Sequence, residues 1–378
     1  MNIIIMCVNA INNKFSFVMN KSINISHKQF VEKLDNTERI QLSQNVSHSM
    51  RFALYRANLY NLGFGKSVSE DLQVYTQYVK TIELTHLLIS SIHSLNSFCI
   101  QFKDSTTETR YKDVTNNCHF VIYNTFHFGA FISLVDYLAF HNDEVYVLAS
   151  EWMIEKPLEH NDYKVRSFKK NNKSKVIVKF INSGDISCLL QMKEIKELSK
   201  INSKKIAAVT LIDGLVLENS SEKSNNYFSF FRGKVVIQQH ITTFAERLKI
   251  PLIHCYMTSN NQKLELNIRD VFDFPKSTQT STEVLSKICS DFEQILKGNN
   301  IGLWTLIADL HVSIQNTERL SQTKYVEETN YEENRFTEVH LGHDLFLYDS
   351  KYGIAYQACK YKKLKNKKEK VISAHIIL

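Results

Sequence analysis

His127 is the residue whose type and position point most directly to chemistry. It comes just after the apolar run at residues 120–123 and just before a stretch with helical spacing, with Gly129 two positions further on. In α/β proteins, active sites lie beyond the carboxyl ends of strands, and we expect His127 there. Imidazole titrates near neutral pH, so His127 could be a general base that takes a proton from a hydroxyl or amine attacking a thioester. The alternative is a buried, hydrogen-bonded core histidine, because its neighbours are aromatic.

A general-base histidine works best beside a carboxylate that orients the ring and stabilises its charged form. Asp136 lies nine residues after His127, in the following helical stretch, and Asp213 follows another apolar run. We therefore take His127, Asp136 and Asp213 as the catalytic candidates. The alternative for Asp136 is a polar position on its own helix with no role in chemistry.

A basic segment at Arg232, Gly233 and Lys234 is a candidate phosphate site. It combines paired cationic donors with a glycine that admits close approach, so it could hold a phosphopantetheine arm or a phospholipid headgroup. A basic turn between strands is the alternative. Together with Gly129, these residues form the predicted substrate-binding set.

The elements that must position these residues follow from hydrophobic periodicity. Short β-branched or aromatic runs predict strands, and spacings of three and four predict helices between them. The predicted strands are residues 120–123, 145–149, 176–180, 206–211, 235–238 and 252–257. The predicted helices are residues 51–62, 68–91, 130–140, 186–199 and 242–249. Apolar strands that alternate with helices predict an α/β fold whose sheet is covered on both faces.

The pattern along the chain predicts three parts. Residues 1–110 form a helical N-terminal section packed on the core, and residues 111–315 form the α/β core. Residues 316–378 are a linker followed by a small, β-rich and basic C-terminal appendage.

Composition excludes several classes of protein. The chain has 10 Gly and 3 Pro and contains neither GxxxxGK[ST] nor GxGxxG, which argues against a P-loop NTPase or a standard dinucleotide enzyme. Its 7 Cys are scattered, which argues against a disulfide framework and indicates a reducing cytoplasm. His340, His343 and Asp344 are metal-ligand types at close spacing, but no further cluster accompanies them, so we predict no metal site.

The formal net charge of +7 is concentrated in a lysine run near the C-terminus, between Lys360 and Lys370. Such a run favours an acidic partner, either an acidic carrier protein or an anionic membrane surface. A solvated surface loop is the alternative. Nucleic acid is not expected, because no recognition-helix pattern surrounds the run. No apolar stretch approaches the roughly 18 residues of a spanning helix, so we expect a cytoplasmic protein with at most peripheral contact to the inner membrane.

The segment Asn-Thr-Phe-His-Phe-Gly-Ala-Phe at residues 124–131 resembles the HxGNWE signature of the bacterial lipid A late acyltransferase family, within the lysophospholipid-acyltransferase-like superfamily. Further segments resemble the same family in order and spacing. They are residues 51–59, 207–214, 230–234 with 244–253, and 292–304, so the resemblance covers about residues 48–311.

The resemblance implies a mixed sheet covered by helices, as in glycerolipid acyltransferases. It also implies transfer of an acyl group from a carrier-protein or coenzyme A thioester to a hydroxyl of a glycolipid, with no tightly bound cofactor. Our hypothesis is broader: an acyl or aminoacyl group moves from such a thioester to an amine or hydroxyl, with His127 as base. In the family pattern an Asp or Glu follows the histidine after four residues, and here that position is Ile132. The alternative is therefore an inactive homologue that binds a lipid or a protein.

Overall fold

A computed structural model describes twelve stretches of the chain. They are residues 46–90, 98–149, 167–170, 174–182, 187–213, 227–230, 233–237, 239–260, 263–308, 336–341, 344–349 and 354–357.

The described residues contain seven α-helices: α1 Val46–Leu62, α2 Val68–Ser90, α3 Ser105–Asn117, α4 Ser133–His141, α5 Ser187–Ile201, α6 His240–Leu248 and α7 Ser281–Ile295. They also contain the strands β1 Phe98–Phe102, β2 Phe120–Thr125, β3 Glu144–Ala149, β4 Ser167–Lys170, β5 Ser174–Asn182, β6 Ile206–Leu211, β7 Tyr227–Phe230, β8 Gly233–Val236, β9 Leu252–Asn260, β10 Lys263–Phe272, β11 Phe336–Leu341, β12 Asp344–Asp349 and β13 Ile354–Gln357.

The centre of the molecule is an eight-stranded mixed sheet with the order β1-β10-β9-β2-β6-β3-β5-β4. Strands β9, β2, β6, β3 and β5 are parallel to one another. Strand β10 is antiparallel to β9, and β4 is antiparallel to β5, so both edges depart from the parallel arrangement. The predicted α/β class is confirmed.

Both faces of the sheet are covered, because the central strands carry apolar side chains on both sides. All six residues of β2 are buried, and successive residues point to opposite faces. One face packs against α1, α5, α6 and α7, the other against α3 and α4, and α2 contributes to both.

Helix α3 begins at the N-cap Asp104, whose side chain accepts a hydrogen bond from the Thr107 backbone N–H.

Most predicted elements are present with boundaries shifted by a few residues. The exception is the predicted strand at 235–238. Its counterpart β8 pairs, among the described strands, only with β7, in a two-stranded hairpin separate from the central sheet. Strands β1, β4, β7 and β10 and helix α3 were not predicted. Strand β1 falls inside the predicted helical section, yet it pairs with β10 and so belongs to the central sheet.

A small antiparallel sheet, in the order β11-β12-β13, lies late in the chain. It packs against α1, where the Arg56 guanidinium donates to Thr337 Oγ1 at 2.8 Å. Arg56 also pairs with Asp71, and both side chains are buried. The lysine run between Lys360 and Lys370 lies outside the described residues. Among those residues, no helix combines the length and apolarity needed to cross a membrane.

Candidate active site

The ends of β2 and β6 bring two sequence-predicted catalytic candidates together. These strands are parallel neighbours, and their register pairs Thr125 with Leu211, the last residue of each strand. His127 and Asp213 each follow two residues later, so they leave the sheet at the same level and at the carboxyl edge. A hydrogen bond of 3.0 Å from the Ile212 N–H to the Thr125 carbonyl holds the two chain segments side by side.

His127 and Asp213 make a direct side-chain contact. The His127 Nδ1 lies 2.9 Å from the Asp213 Oδ1. The backbone N–H of His127 also donates to the same carboxylate, at 3.0 Å to Oδ1 and 3.1 Å to Oδ2. The carboxylate therefore holds both the ring and the main chain of the histidine. We call this pair the His127–Asp213 dyad.

The two side chains of the dyad differ in exposure. The Asp213 carboxylate is fully buried, whereas 18% of the His127 side chain is exposed. A buried carboxylate needs donors, and Asp213 receives a further one from the Trp304 indole Nε1 at 2.7 Å. An ionised carboxylate can only accept, so the facing Nδ1 of a neutral imidazole carries the proton. The lone pair is then on Nε2, which has no hydrogen-bond partner among the described residues.

The loop that carries His127 depends on Gly129. Its φ is +60°, and a Cβ there would overlap the Met257 carbonyl oxygen of β9. The Gly129 N–H donates to the Leu303 carbonyl at 2.8 Å. The His127 carbonyl accepts from both the N–H and the hydroxyl of Thr305, at 2.8 and 2.9 Å. Gly129 thus acts through its backbone, by letting the loop pass close to β9.

The other predicted acid does not take part in the dyad. Asp136 is buried in the first turn of α4, and it is not among the hydrogen-bond partners of His127. Ile132, at the position where the resemblance expects an acid, is the N-cap of α4 and packs against the core. The ring of His127 meets Phe131 edge-on, with 5.0 Å between ring centroids. Asp213, from a strand 86 residues away in sequence, supplies the carboxylate.

The predicted phosphate segment is only partly described. Arg232 lies outside the described residues, while Gly233 and Lys234 begin β8. Their role in binding substrate stays a prediction. Of the residues weighed as metal ligands, His340 is on β11 and Asp344 begins β12. The described part of the chain has no group of three or more His, Cys, Asp or Glu side chains that could hold a metal ion.

A polar surface hollow of about 610 Å³ lies along α7, away from the dyad. It is lined by Lys103, Asp270, Thr282, Glu283, Ser286, Lys287, Ser290, Asp291 and Gln294. Its lysines face carboxylates, since Lys287 pairs with Asp270 and Lys103 lies 3.5 Å from Asp291. The hollow therefore offers little net charge to a ligand.

Two further histidines lie outside the dyad, His254 in the core and His240 half-buried. His254 is buried on β9, 3.7 Å from Asp291, which is held by a bidentate contact from Arg269. His240 begins α6, and burial lowers its pKa to about 4. At neutral pH, His240 is therefore uncharged.

Trp304 and Thr305 contact the dyad but were not expected to do so. Trp304 belongs to a segment that resembles the acyltransferase family, but nothing in the sequence around it indicates that its indole donates to a carboxylate 91 residues away.

Comparison of the chain with protein-family models and with curated proteins found no match. The functional assignment therefore rests on the residues themselves and their geometry.

Proposed function

We propose that the protein is an acyltransferase that moves an acyl or aminoacyl group from a thioester to an amine or hydroxyl. The observation that carries this proposal is the His127–Asp213 contact at the carboxyl ends of two parallel strands. Asp213 orients the imidazole and stabilises its charged form, and His127 is the general base.

The reaction begins when the acceptor nitrogen or oxygen attacks the thioester carbonyl carbon. The Nε2 of His127 removes the proton from the attacking group as the new carbon–nitrogen or carbon–oxygen bond forms. The carbon–sulfur bond then breaks, and the imidazolium returns the proton to the departing thiolate. The products are an amide or ester and a free thiol, and His127 is again neutral.

The surroundings of Nε2 favour direct attack by the acceptor over a covalent acyl-enzyme. In a Ser-His-Asp or Cys-His arrangement, the nucleophile hydrogen-bonds to the ring nitrogen that faces away from the acid. Among the described residues, no hydroxyl or thiol occupies that position at His127. The partly exposed ring can instead serve a group that arrives from solution.

The proposed fold type is that of the glycerolipid acyltransferases, with a helical N-terminal section and a β-rich C-terminal appendage. In this proposal, Asp213 replaces the motif acid that is absent at Ile132. The donor is an acyl or peptidyl carrier protein bearing phosphopantetheine, or coenzyme A. Arg232, Gly233 and Lys234 are the proposed phosphate ligands, and the lysine run is proposed to meet an acidic carrier or an anionic membrane.

The test is product analysis by mass spectrometry after mixing the full chain with acyl-loaded carrier protein or acyl-coenzyme A and a panel of amines and alcohols. Wild type is expected to transfer the acyl group, and His127→Ala is expected to lose transfer. His119→Ala is the matched control, because His119 is exposed just before β2, at the opposite end of the same strand. It should transfer like wild type.

The proposal fails if wild type transfers no acyl group from either donor to any acceptor. It also fails if His127→Ala transfers as fast as wild type. Binding of the loaded carrier without transfer would instead favour the inactive homologue that binds a lipid or a protein.

A further inference from the structure

We infer that Trp304 is a positioning residue of the dyad, whose indole N–H fixes the Asp213 carboxylate in the orientation that receives the His127 ring. The inference assigns Trp304 a part in the proposed function and concerns the same site. It rests on the hydrogen bonds of one buried carboxylate and on the packing of one buried indole.

The two oxygens of Asp213 have distinct partners. Oδ1 accepts from the ring Nδ1 of His127, and Oδ2 accepts from the indole of Trp304 at 2.7 Å. The His127 backbone N–H bridges both oxygens. Donors to both oxygens oppose rotation about the bond that carries the carboxylate. Without the indole, Oδ2 would keep, among the described residues, only the backbone donor that it shares with Oδ1, and the carboxylate could turn away from the ring.

The indole is itself held in place. Trp304 is among the largest fully buried side chains, with 1% of the residue exposed. Its ring stands edge-on to Phe292 at 5.3 Å between centroids, and its backbone bridges to Phe128. An indole offers a single donor and no acceptor, so its direction follows from how the ring is packed. A rigid ring therefore points a fixed donor at a charge that has no access to solvent.

The neighbouring residue supports the other member of the dyad. Thr305 donates twice to the His127 carbonyl, while Trp304 donates to the Asp213 carboxylate. Two consecutive residues thus hold the two halves of the dyad. A purely structural tryptophan would need only its packing against Phe292, which a phenylalanine could largely reproduce.

Trp304→Phe separates these roles, because it removes the indole donor and keeps an aromatic ring. The chain has 2 Trp, so Trp152→Phe assigns the two indole signals in an NMR spectrum. In ¹⁵N-labelled full-length protein, the His127 ring signals are identified by their loss in His127→Ala. We expect Trp304→Phe to change the ring ¹⁵N shifts and the Nδ1 proton shift of His127.

The reciprocal measurement does not require the tryptophan variant to fold. Asp213→Asn replaces a charged acceptor by a neutral one, which weakens the hydrogen bond from the indole. The Trp304 indole proton should therefore move upfield in Asp213→Asn. Unchanged His127 signals in folded Trp304→Phe, or an unchanged indole signal in Asp213→Asn, would overturn the inference.

The consequence for transfer is a separate measurement. Trp304→Phe should slow transfer about 10- to 100-fold, the range typical of partners that orient a functional side chain. Rates equal to wild type would overturn the positioning role. If wild type itself transfers nothing while the NMR shifts appear, the proposed function fails and the positioning of Asp213 by Trp304 stands.

Discussion

The protonated nitrogen of His127 is set by Asp213, which faces Nδ1 and leaves Nε2 for chemistry. Replacing the acid with its amide changes that preference while keeping the size of the side chain. Asp213→Asn is expected to lower the rate of the proposed acyl transfer by about 10⁴-fold, as in the serine proteases, where the same change gives the wrong tautomer. Steady-state rates at saturating donor measure the loss.

Asp136→Asn tests which of the two candidate acids, Asp136 or Asp213, orients His127. Because Asp136 is not a hydrogen-bond partner of His127, this variant should keep transfer near the wild-type rate. Equal losses in both variants, with both proteins folded, would count against Asp213 as the orienting acid.

Gly129 determines whether the His127 loop can pass β9. Its left-handed φ of +60° costs an L-residue about 1–2 kcal/mol, and a Cβ would in addition meet the Met257 carbonyl. Gly129→Ala should therefore lower the free energy of unfolding by at least about 1–2 kcal/mol in urea titrations.

Gly298→Ala is the matched control for that change. Gly298 is exposed within a π-helical turn, and among the described residues a Cβ there would meet only the side chain of Asn300. Its unfolding free energy should stay at the wild-type value or rise slightly. A loss at Gly298 equal to that at Gly129 would mean that the loop geometry is not the cause.

At the scale of elements, the segment that carries Trp304 and Thr305 is held by the first two helices. Asn58 of α1 donates to the Ile307 carbonyl at 2.6 Å, and Thr81 of α2 donates to the Gly302 carbonyl at 3.4 Å. A Cβ on Gly302 would lie 2.7 Å from the Val74 carbonyl oxygen. Helices α1 and α2 therefore contact the segment that supports the dyad directly.

Gly302→Ala should push this segment away from α2, because the obstructing atom is backbone and cannot rotate aside. We expect a lower free energy of unfolding and an upfield shift of the Trp304 indole proton, since its contact with Asp213 lengthens. Two-dimensional NMR and urea titration measure the two effects. An unchanged indole signal would show that the segment adjusts without moving Trp304.

Much of the sheet could be predicted, because strands buried on both faces are continuous apolar runs. Residues 206–211 were predicted with the boundaries that β6 has. Strand β10 was not predicted, although its sequence has the alternation of a strand, since Leu264, Leu266 and Ile268 alternate with polar residues. Helix α3 is mostly polar and is recognisable mainly from its N-cap, so periodicity gave little indication of it.

The site was predictable only in part, for a topological reason. His127 and Asp213 could each be placed after a strand, but their contact requires β2 and β6 to be neighbours. The chain forms β3, β4 and β5 between them, so adjacency is a property of the completed sheet. The indole contact of Trp304 is more distant still and has no local signature.

At the scale of the whole molecule, the environment of His240 makes the free energy of unfolding vary with pH in the mildly acidic range. Burial lowers the pKa of His240 to about 4, from 6.5 as an ordinary histidine. As pH falls from 6.5 towards 4, the unfolded chain binds a proton that the folded chain does not. Stability is therefore lost in this window, by up to about 3 kcal/mol at 1.36 kcal/mol per unit.

Urea titrations at pH 7 and pH 5 measure this loss, and His240→Leu should reduce the difference between them. A second group, Glu144, makes the free energy of unfolding depend on pH in a more acidic range. Burial raises its pKa, but hydrogen bonds from Lys179, Lys204 and Tyr146 bring it to about 2, so its stabilisation is lost as pH falls from 4.5 towards 2. If His240→Leu shows the same difference in unfolding free energy between pH 7 and pH 5 as wild type, His240 is not the source of that difference.

The hydrogen bonds of the dyad join parts of the chain that are far apart in sequence. Asp213 lies 86 residues from His127, Trp304 lies 91 residues beyond Asp213, and Thr305 lies 178 residues from His127. Contacts of such long range form only after large loops have closed, which is slow in folding. During synthesis, the ribosome must therefore release the chain past residue 305 before the site exists. A nascent or truncated chain that ends earlier holds His127 without the tryptophan and threonine that complete its surroundings.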